Sequence, residues 1–133
     1  MGKKFLKQYE ILFKKALVDL NSAKVILFSF ENGTIELDME VVFFHLQQSS
    51  EKLIKAVLDF HKIKFPRTHD LQSLINLLEA NNIQLGDIEK LLPLSVYAVE
   101  GRYAILHDDL DDSDKYIEIL DELLELVRIE IFS

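Results

Sequence analysis

Apolar residues at Leu6, Tyr9, Phe13, Ala16, Leu20, Ala23, Leu27 and Phe30 recur at steps of three and four. That is the spacing of one face of a long helix. Asn32-Gly33 follows, a pair suited to the left-handed turn at a helix end. Asp38 is placed to cap a second helix, whose stripe is Val42, Leu46, Ser49, Leu53, Val57 and Phe60. The stretch KFPRTHD breaks that helix, because Pro66 lacks an N–H and pushes Phe65 out of helical geometry. Thr68 then reads as an N-cap, with Asp70 in the positive first turn. Leu71, Leu74, Ile75 and Leu78 make a third stripe, ended by Asn81-Asn82. A less regular stretch follows. Asp87 can start a helix there, and Pro93 either kinks it or opens a new first turn. Val96, Val99, Tyr103 and Leu106 keep helical spacing beyond it. HDDLDDSDK reads as a turn, with Ser113 or Asp112 capping a last helix striped by Ile117, Leu120, Leu124, Val127 and Ile131. The pattern predicts an all-α, up-and-down bundle of four to five helices with mostly short loops, and no strands.

Two features extend that picture. Four glycines and two prolines are too few for a many-turned β fold, and 133 residues suit one domain with one core. The second and fourth helices also carry apolar residues off their main stripes: Phe43, Phe44, Ile54, Leu58, Tyr97 and Ile105. A bundle this small cannot cover two faces on every helix, so this surplus points to a homodimer or another partner.

Charge narrows the function classes. The formal net charge is −8, which disfavours a general nucleic-acid binder. The distribution is uneven, however. Lys3, Lys4, Lys7, Lys14 and Lys15 cluster at the start, and Lys52, Lys55, Lys62, Lys64 and Arg67 cluster mid-chain, so a local basic face stays open beside the plainer reading of solvated lysines. With no cysteine there is neither a disulfide framework nor a thiolate metal site. The start, MGKKFLKQYEILFKK, has no apolar core of the signal-peptide kind, and no apolar run is long enough for a bilayer. These features together read as a cytoplasmic protein with no membrane partner.

Candidate chemistry is sparse. Arg102 and His107 could act together on a phosphodiester, the arginine as a planar fork for phosphate oxygens and the histidine as a proton carrier. Five helical steps of about 100° put the two side chains about 140° apart, so they meet only if the helix ends between them or two copies face each other. By spacing alone the plainer reading leads, with Arg102 paired to an acid and His107 exposed; helix 2 offers Glu51, or another acid near it, as the counter-charge such an arginine needs. Asp108, Asp109, Asp111, Asp112 and Asp114 lack the glycine and closing glutamate of a calcium loop, and His45, His61 and His69 form no zinc pattern. No metal and no cofactor is expected.

A longer string carries more information. It is HLQQSSEKLIKAVLDFHKIKFPRTHDLQSLINLL, residues 45–78. Gln47 to Ala56, then Pro66, Thr68 to Leu71 and later Arg102-Tyr103 together resemble the HEPN family (higher eukaryotes and prokaryotes nucleotide-binding domain), over roughly residues 10–130. The resemblance implies a five-helix domain. It also implies that RYAILH is the family's Arg, four to six residues, His motif of a metal-independent ribonuclease, with Arg102 and His107 catalytic. Glu51, Lys52, Lys55, His69 and Tyr103 would bind substrate or support the site. It further implies the toxin of a toxin–antitoxin pair, with a small nucleotidyltransferase as antitoxin and RNA as substrate. The alternative is a non-catalytic module that binds a nucleotide or a nucleotidyltransferase. Ala104 stands where many members without the histidine have proline. Asp109 stands where some toxins have the tyrosine that their antitoxin modifies.

Overall fold

A computed structural model describes residues 6–33, 39–98 and 110–133. Among them are four α-helices, α1 (Gln8–Glu31), α2 (Met39–Phe60), α3 (Leu71–Ala80) and α4 (Leu110–Phe132), and a 3-10 helix, Ile88–Tyr97, between α3 and α4. No described residue is in a strand. The expected all-α bundle is what the chain forms.

The core follows the apolar stripes. Phe13, Ala16, Leu20, Ala23 and Leu27 of α1 are buried, as are Val42, Leu46, Leu53 and Val57 of α2 and Leu120, Leu124, Val127 and Ile131 of α4. Helix α2 is the centre of the molecule, packing against α1, α3, α4 and the 3-10 helix. That explains its off-stripe residues. Phe43, Ile54 and Leu58 are fully buried within the chain. The Phe43 ring stacks on Tyr97 at 5.0 Å between centroids and meets Tyr116 edge-on at 5.9 Å. Most of the apolar surplus that suggested a second copy is therefore spent on a five-element core. Ile105 lies outside the described residues.

Helix ends are set by local chemistry. Gly33 (φ +72°) closes α1, as Asn32-Gly33 predicts. Asn82 (φ +57°) closes α3, its successor Ile83 donating to Leu78 O at 2.9 Å. Helix α2 ends in the same way at Lys62 (φ +59°), with Ile63 N donating to Leu58 O at 2.9 Å. The helix therefore stops before KFPRTHD rather than at it.

Two caps differ from expectation. Asp70, not Thr68, is the N-cap of α3: its Oδ1 accepts from Gln72 N at 3.2 Å. Thr68 sits two residues further out, its hydroxyl accepting from Asp70 N at 3.0 Å. Ser113 is no cap either. Helix α4 begins at Leu110, and Ser113 is buried inside its first turn. Pro93 lies within the 3-10 helix, where its missing N–H removes a donor that an α-helix would need. The cap proposed at Asp38 lies outside the described residues.

Candidate functional site

The site is built on consecutive turns of α2. Gln47, Glu51 and Lys55 are four residues apart and so share one face. Glu51 is buried, with its side chain only 5% exposed, although it carries a carboxylate. Such a group is costly to bury unless it is paired and hydrogen-bonded. It has three partners. Oε1 accepts from His69 Nδ1 at 2.9 Å and from Gln47 Nε2 at 3.2 Å, and Oε2 accepts from Lys55 Nζ at 2.9 Å. Lys55 also lies over the Phe65 ring, 5.8 Å from its centroid.

His69 sits in the loop before α3, and two side chains of α2 hold it. Its ring is bonded to Glu51, and its backbone carbonyl accepts from Gln47 Nε2 at 3.3 Å. A carboxylate has no proton to share, so Nδ1 carries the hydrogen and Nε2 is left to the solvent side. The ring is 59% exposed. Asp70, next along, is itself anchored. Its carboxyl is held below the usual carboxylate range, first by the Ser73 hydroxyl (2.6 Å), then by the backbone N–H groups of Gln72 and Ser73, which together outweigh the opposing effect of burial.

A third link reaches further along the chain. Gln48 Nε2 donates to Gln47 Oε1 at 2.7 Å and to Ala98 O at 3.4 Å. The network on α2 is thus bonded to the residue that caps the 3-10 helix, four positions before Arg102 in the sequence. Arg102, Tyr103 and His107, and the expected Glu51–Arg102 pair, lie outside the described residues. Within them, Lys55, His69 and Gln47 already serve the Glu51 carboxylate.

Lys52 does not join this group. One step from Glu51, it turns towards α1, where its ammonium bonds Asp19 Oδ2 at 2.5 Å. Asp19 Oδ1 also accepts from His45 Nδ1 at 3.0 Å. Asp19, buried among Ala16, Leu20 and Ala23, thus joins α1 to α2 through two partners. Sequence reasoning missed it, and the signal was an acid inside an apolar stripe. Ser49 adds a further tie, its hydroxyl donating to Ala16 O at 2.8 Å. Gln47 was missed as a site residue too; it was read only as part of a motif.

A hollow of about 530 Å³ opens where α2 and α3 end, lined by His61, Asn81, Asn82, Gln84 and Glu130 among others, and shares no residue with the Glu51 network. Among the described residues, no group of three or more His, Asp or Glu side chains could hold a metal, and no helix is long and apolar enough to cross a membrane.

The described residues form an all-α bundle wound round one central helix, with a buried acid on that helix bonded to a loop histidine. The model of the HEPN domain matches residues 9–130, and the chain belongs to that family. No curated protein and no solved structure matches it.

Proposed function

We propose that the protein is a metal-independent HEPN endoribonuclease, the toxin of a pair whose antitoxin is a small nucleotidyltransferase. Family membership over nearly the whole chain supports a role with RNA or nucleotides. The observation that carries the finer reading is the bond from Gln48 to Ala98 O. It ties the chain leading into Arg102 and His107 to the Gln47–Glu51–His69 network.

In this reading RNA supplies its own nucleophile, the ribose 2′-hydroxyl. His107 takes its proton as the oxygen attacks phosphorus. The Arg102 guanidinium stabilises the charge that develops on the phosphorane. The products are a 2′,3′-cyclic phosphate and a 5′-hydroxyl, and no metal or cofactor takes part. The protein works as a homodimer in the cytoplasm. The face open to a second copy is the outside of α1, where Ile11, Val18 and Val25 recur every seven residues, with Phe28 beside them, all exposed.

One observation favours the second reading, a non-catalytic module that binds a nucleotide or a nucleotidyltransferase. Lys52 and Lys55, both candidates for holding phosphate, are each bonded to a carboxylate of the same chain. Cleavage of total cellular RNA in EDTA separates the two. The ribonuclease reading expects cleavage by wild type and none by His107→Ala. No cleavage by either selects the binding module.

A further inference from the structure

We propose that the hollow at the ends of α2, α3 and α4 binds a small aliphatic polyamine. The proposal stands apart from the ribonuclease reading and uses none of its residues.

The hollow, about 530 Å³, is walled by His61, Asn81, Asn82, Gln84 and Glu130. Its place in the fold sets its charge. His61 directly follows α2, Asn81 and Asn82 directly follow α3, and Glu130 lies in the last turn of α4. Three helix C-termini therefore meet there. Each end is worth about half a negative charge, so with the Glu130 carboxylate the hollow faces roughly −2.5 charges. None of the three helices has a basic residue in its last turn. Neighbouring basic side chains do not line the hollow. Lys62, next to His61, is exposed, and Arg128 is bonded to Glu125 at 3.4 Å and lies over the Phe13 ring. Of the lining residues only His61 can become positive, and one imidazolium leaves the sum negative.

The walls also present hydrogen-bond acceptors. His61 Nε2 meets Glu130 Oε1 at 2.6 Å. With the acid ionised the hydrogen lies on Nε2, and Nδ1 of the neutral ring keeps a lone pair. Asn81 Nδ2 donates to Leu77 O at 2.8 Å, which leaves Oδ1 to accept from elsewhere. Asn82 and Gln84 bring two more carboxamides. An acid in the last turn of a helix works against the dipole, and a bound cation offsets that cost.

Size and lining select the kind of cation. Among the described residues no group of three or more His, Asp or Glu side chains could hold a metal, and the acceptors ring a space much larger than one ion. A chain with several ammonium groups and methylenes between them fits both features. Its N–H groups donate to Glu130 and to the amide oxygens. Its methylenes lie on Ile63 and Ile83, half-buried side chains that pack on the core and complete the lining. The lysine of a partner protein shares this chemistry but brings one charge. A polyamine brings two or more, which matches the charge of the site.

Calorimetric titration of spermidine into the full chain tests the proposal, at about 0.15 M salt so that looser surface attraction is screened. We expect one spermidine per chain. Glu130→Gln keeps an oxygen for His61 Nε2 but removes the charge, and should weaken binding about 10–100-fold. Gln84→Lys tethers an ammonium at the wall and should weaken binding to a similar degree; the side chain is exposed, so the fold should tolerate it. Glu118→Gln, an exposed acid three turns up α4, should bind as wild type does. No saturable binding by wild type overturns the inference. So does equal affinity in all three variants, which would mean general attraction to an acidic chain. Magnesium that binds with the same dependence on Glu130, where spermidine does not, overturns the organic cation. A lysine amide that binds as tightly as spermidine overturns the polyamine in favour of a partner's lysine. Should Glu130→Gln lose its helical circular dichroism, Gln84→Lys against Glu118→Gln decides alone.

Discussion

Glu51 and His69 lie 18 residues apart in the chain and 2.9 Å apart in the fold, a buried acid on α2 holding the ring of a loop histidine. The contact decides where the loop after α2 sits and which ring nitrogen stays open. It also links stability to the site. Glu51→Ala would strand the Lys55 ammonium, a side chain only 14% exposed, and free His69. We expect a loss of about 1.5–3 kcal/mol, the range for hydrogen bonds to charged groups. Gln47→Ala should cost about 1–2 kcal/mol, because the buried amide serves both Glu51 and the His69 carbonyl. Urea unfolding with unchanged m-values checks both. A loss within ±0.5 kcal/mol, typical of a surface site, would contradict the network for either residue.

Asp19 predicts an asymmetry. It accepts from Lys52 and from His45, so Asp19→Ala leaves two partners behind while Lys52→Ala leaves one. Asp19→Ala should be the more destabilising of the two, by about 1 kcal/mol. The double variant should cost less than the two single losses added together. Additive losses in a double-mutant cycle would show that the two side chains do not couple.

Asp70 gives the fold a pH dependence of known sign. Its folded carboxyl titrates below the ordinary value, chiefly because of the Ser73 hydroxyl. A group depressed in this way adds stability that is fully present above its unfolded value, about 3.9, and is lost as pH falls through its folded value. Asp70→Ala should therefore cost about 1 kcal/mol near pH 7, the usual worth of an N-cap. The gap to wild type should narrow below about pH 4. Ser73→Ala should reduce the narrowing. A gap that widens in acid would contradict the assignment.

For the proposed homodimer, the exposed face of α1 predicts how two copies would meet. In an antiparallel pair centred between Asn21 and Ser22, Val18 of one chain lies against Val25 of the other, and the Lys15 stem covers Phe28. No lysine opposes a lysine in that register, and small residues sit at the centre. Val18→Glu with Val25→Glu should turn a dimer into a monomer by light scattering while leaving the helical circular dichroism intact. A dimer that survives both changes would move the interface elsewhere.

The helices were legible because their apolar steps are regular and because Asn32-Gly33 and Asn81-Asn82 punctuate them. Three features were not. Thr68 and Asp70 are both good caps two positions apart, and only the hydrogen bonds decide between them. The acidic stretch before Ser113 looks like a turn, yet Ser113, Tyr116 and Leu120 continue the α4 stripe upstream, and packing of that stripe outweighs weak helix propensity. The surplus on α2 looked intermolecular because single-helix patterns do not reveal that four other elements surround it. Of the site, Glu51, Lys55 and His69 could be named from a family resemblance. Their pairing could not, since nothing in a linear spacing brings residue 69 to residue 51. Lys52 was grouped with them by the same resemblance, although one helical step of about 100° sends it to Asp19 instead.

The central claim is that Arg102 and His107 cleave RNA without metal. The most direct measurement is the end chemistry of a defined RNA after incubation in EDTA, read by mass spectrometry for wild type, His107→Ala, Arg102→Ala and Arg102→Lys. The account predicts 2′,3′-cyclic phosphate ends from wild type and none from either alanine variant. Arg102→Lys should recover only part of the rate, since a point charge lacks the guanidinium fork. Equal cleavage by wild type and His107→Ala, or fragments that carry 5′-phosphate ends, would contradict it.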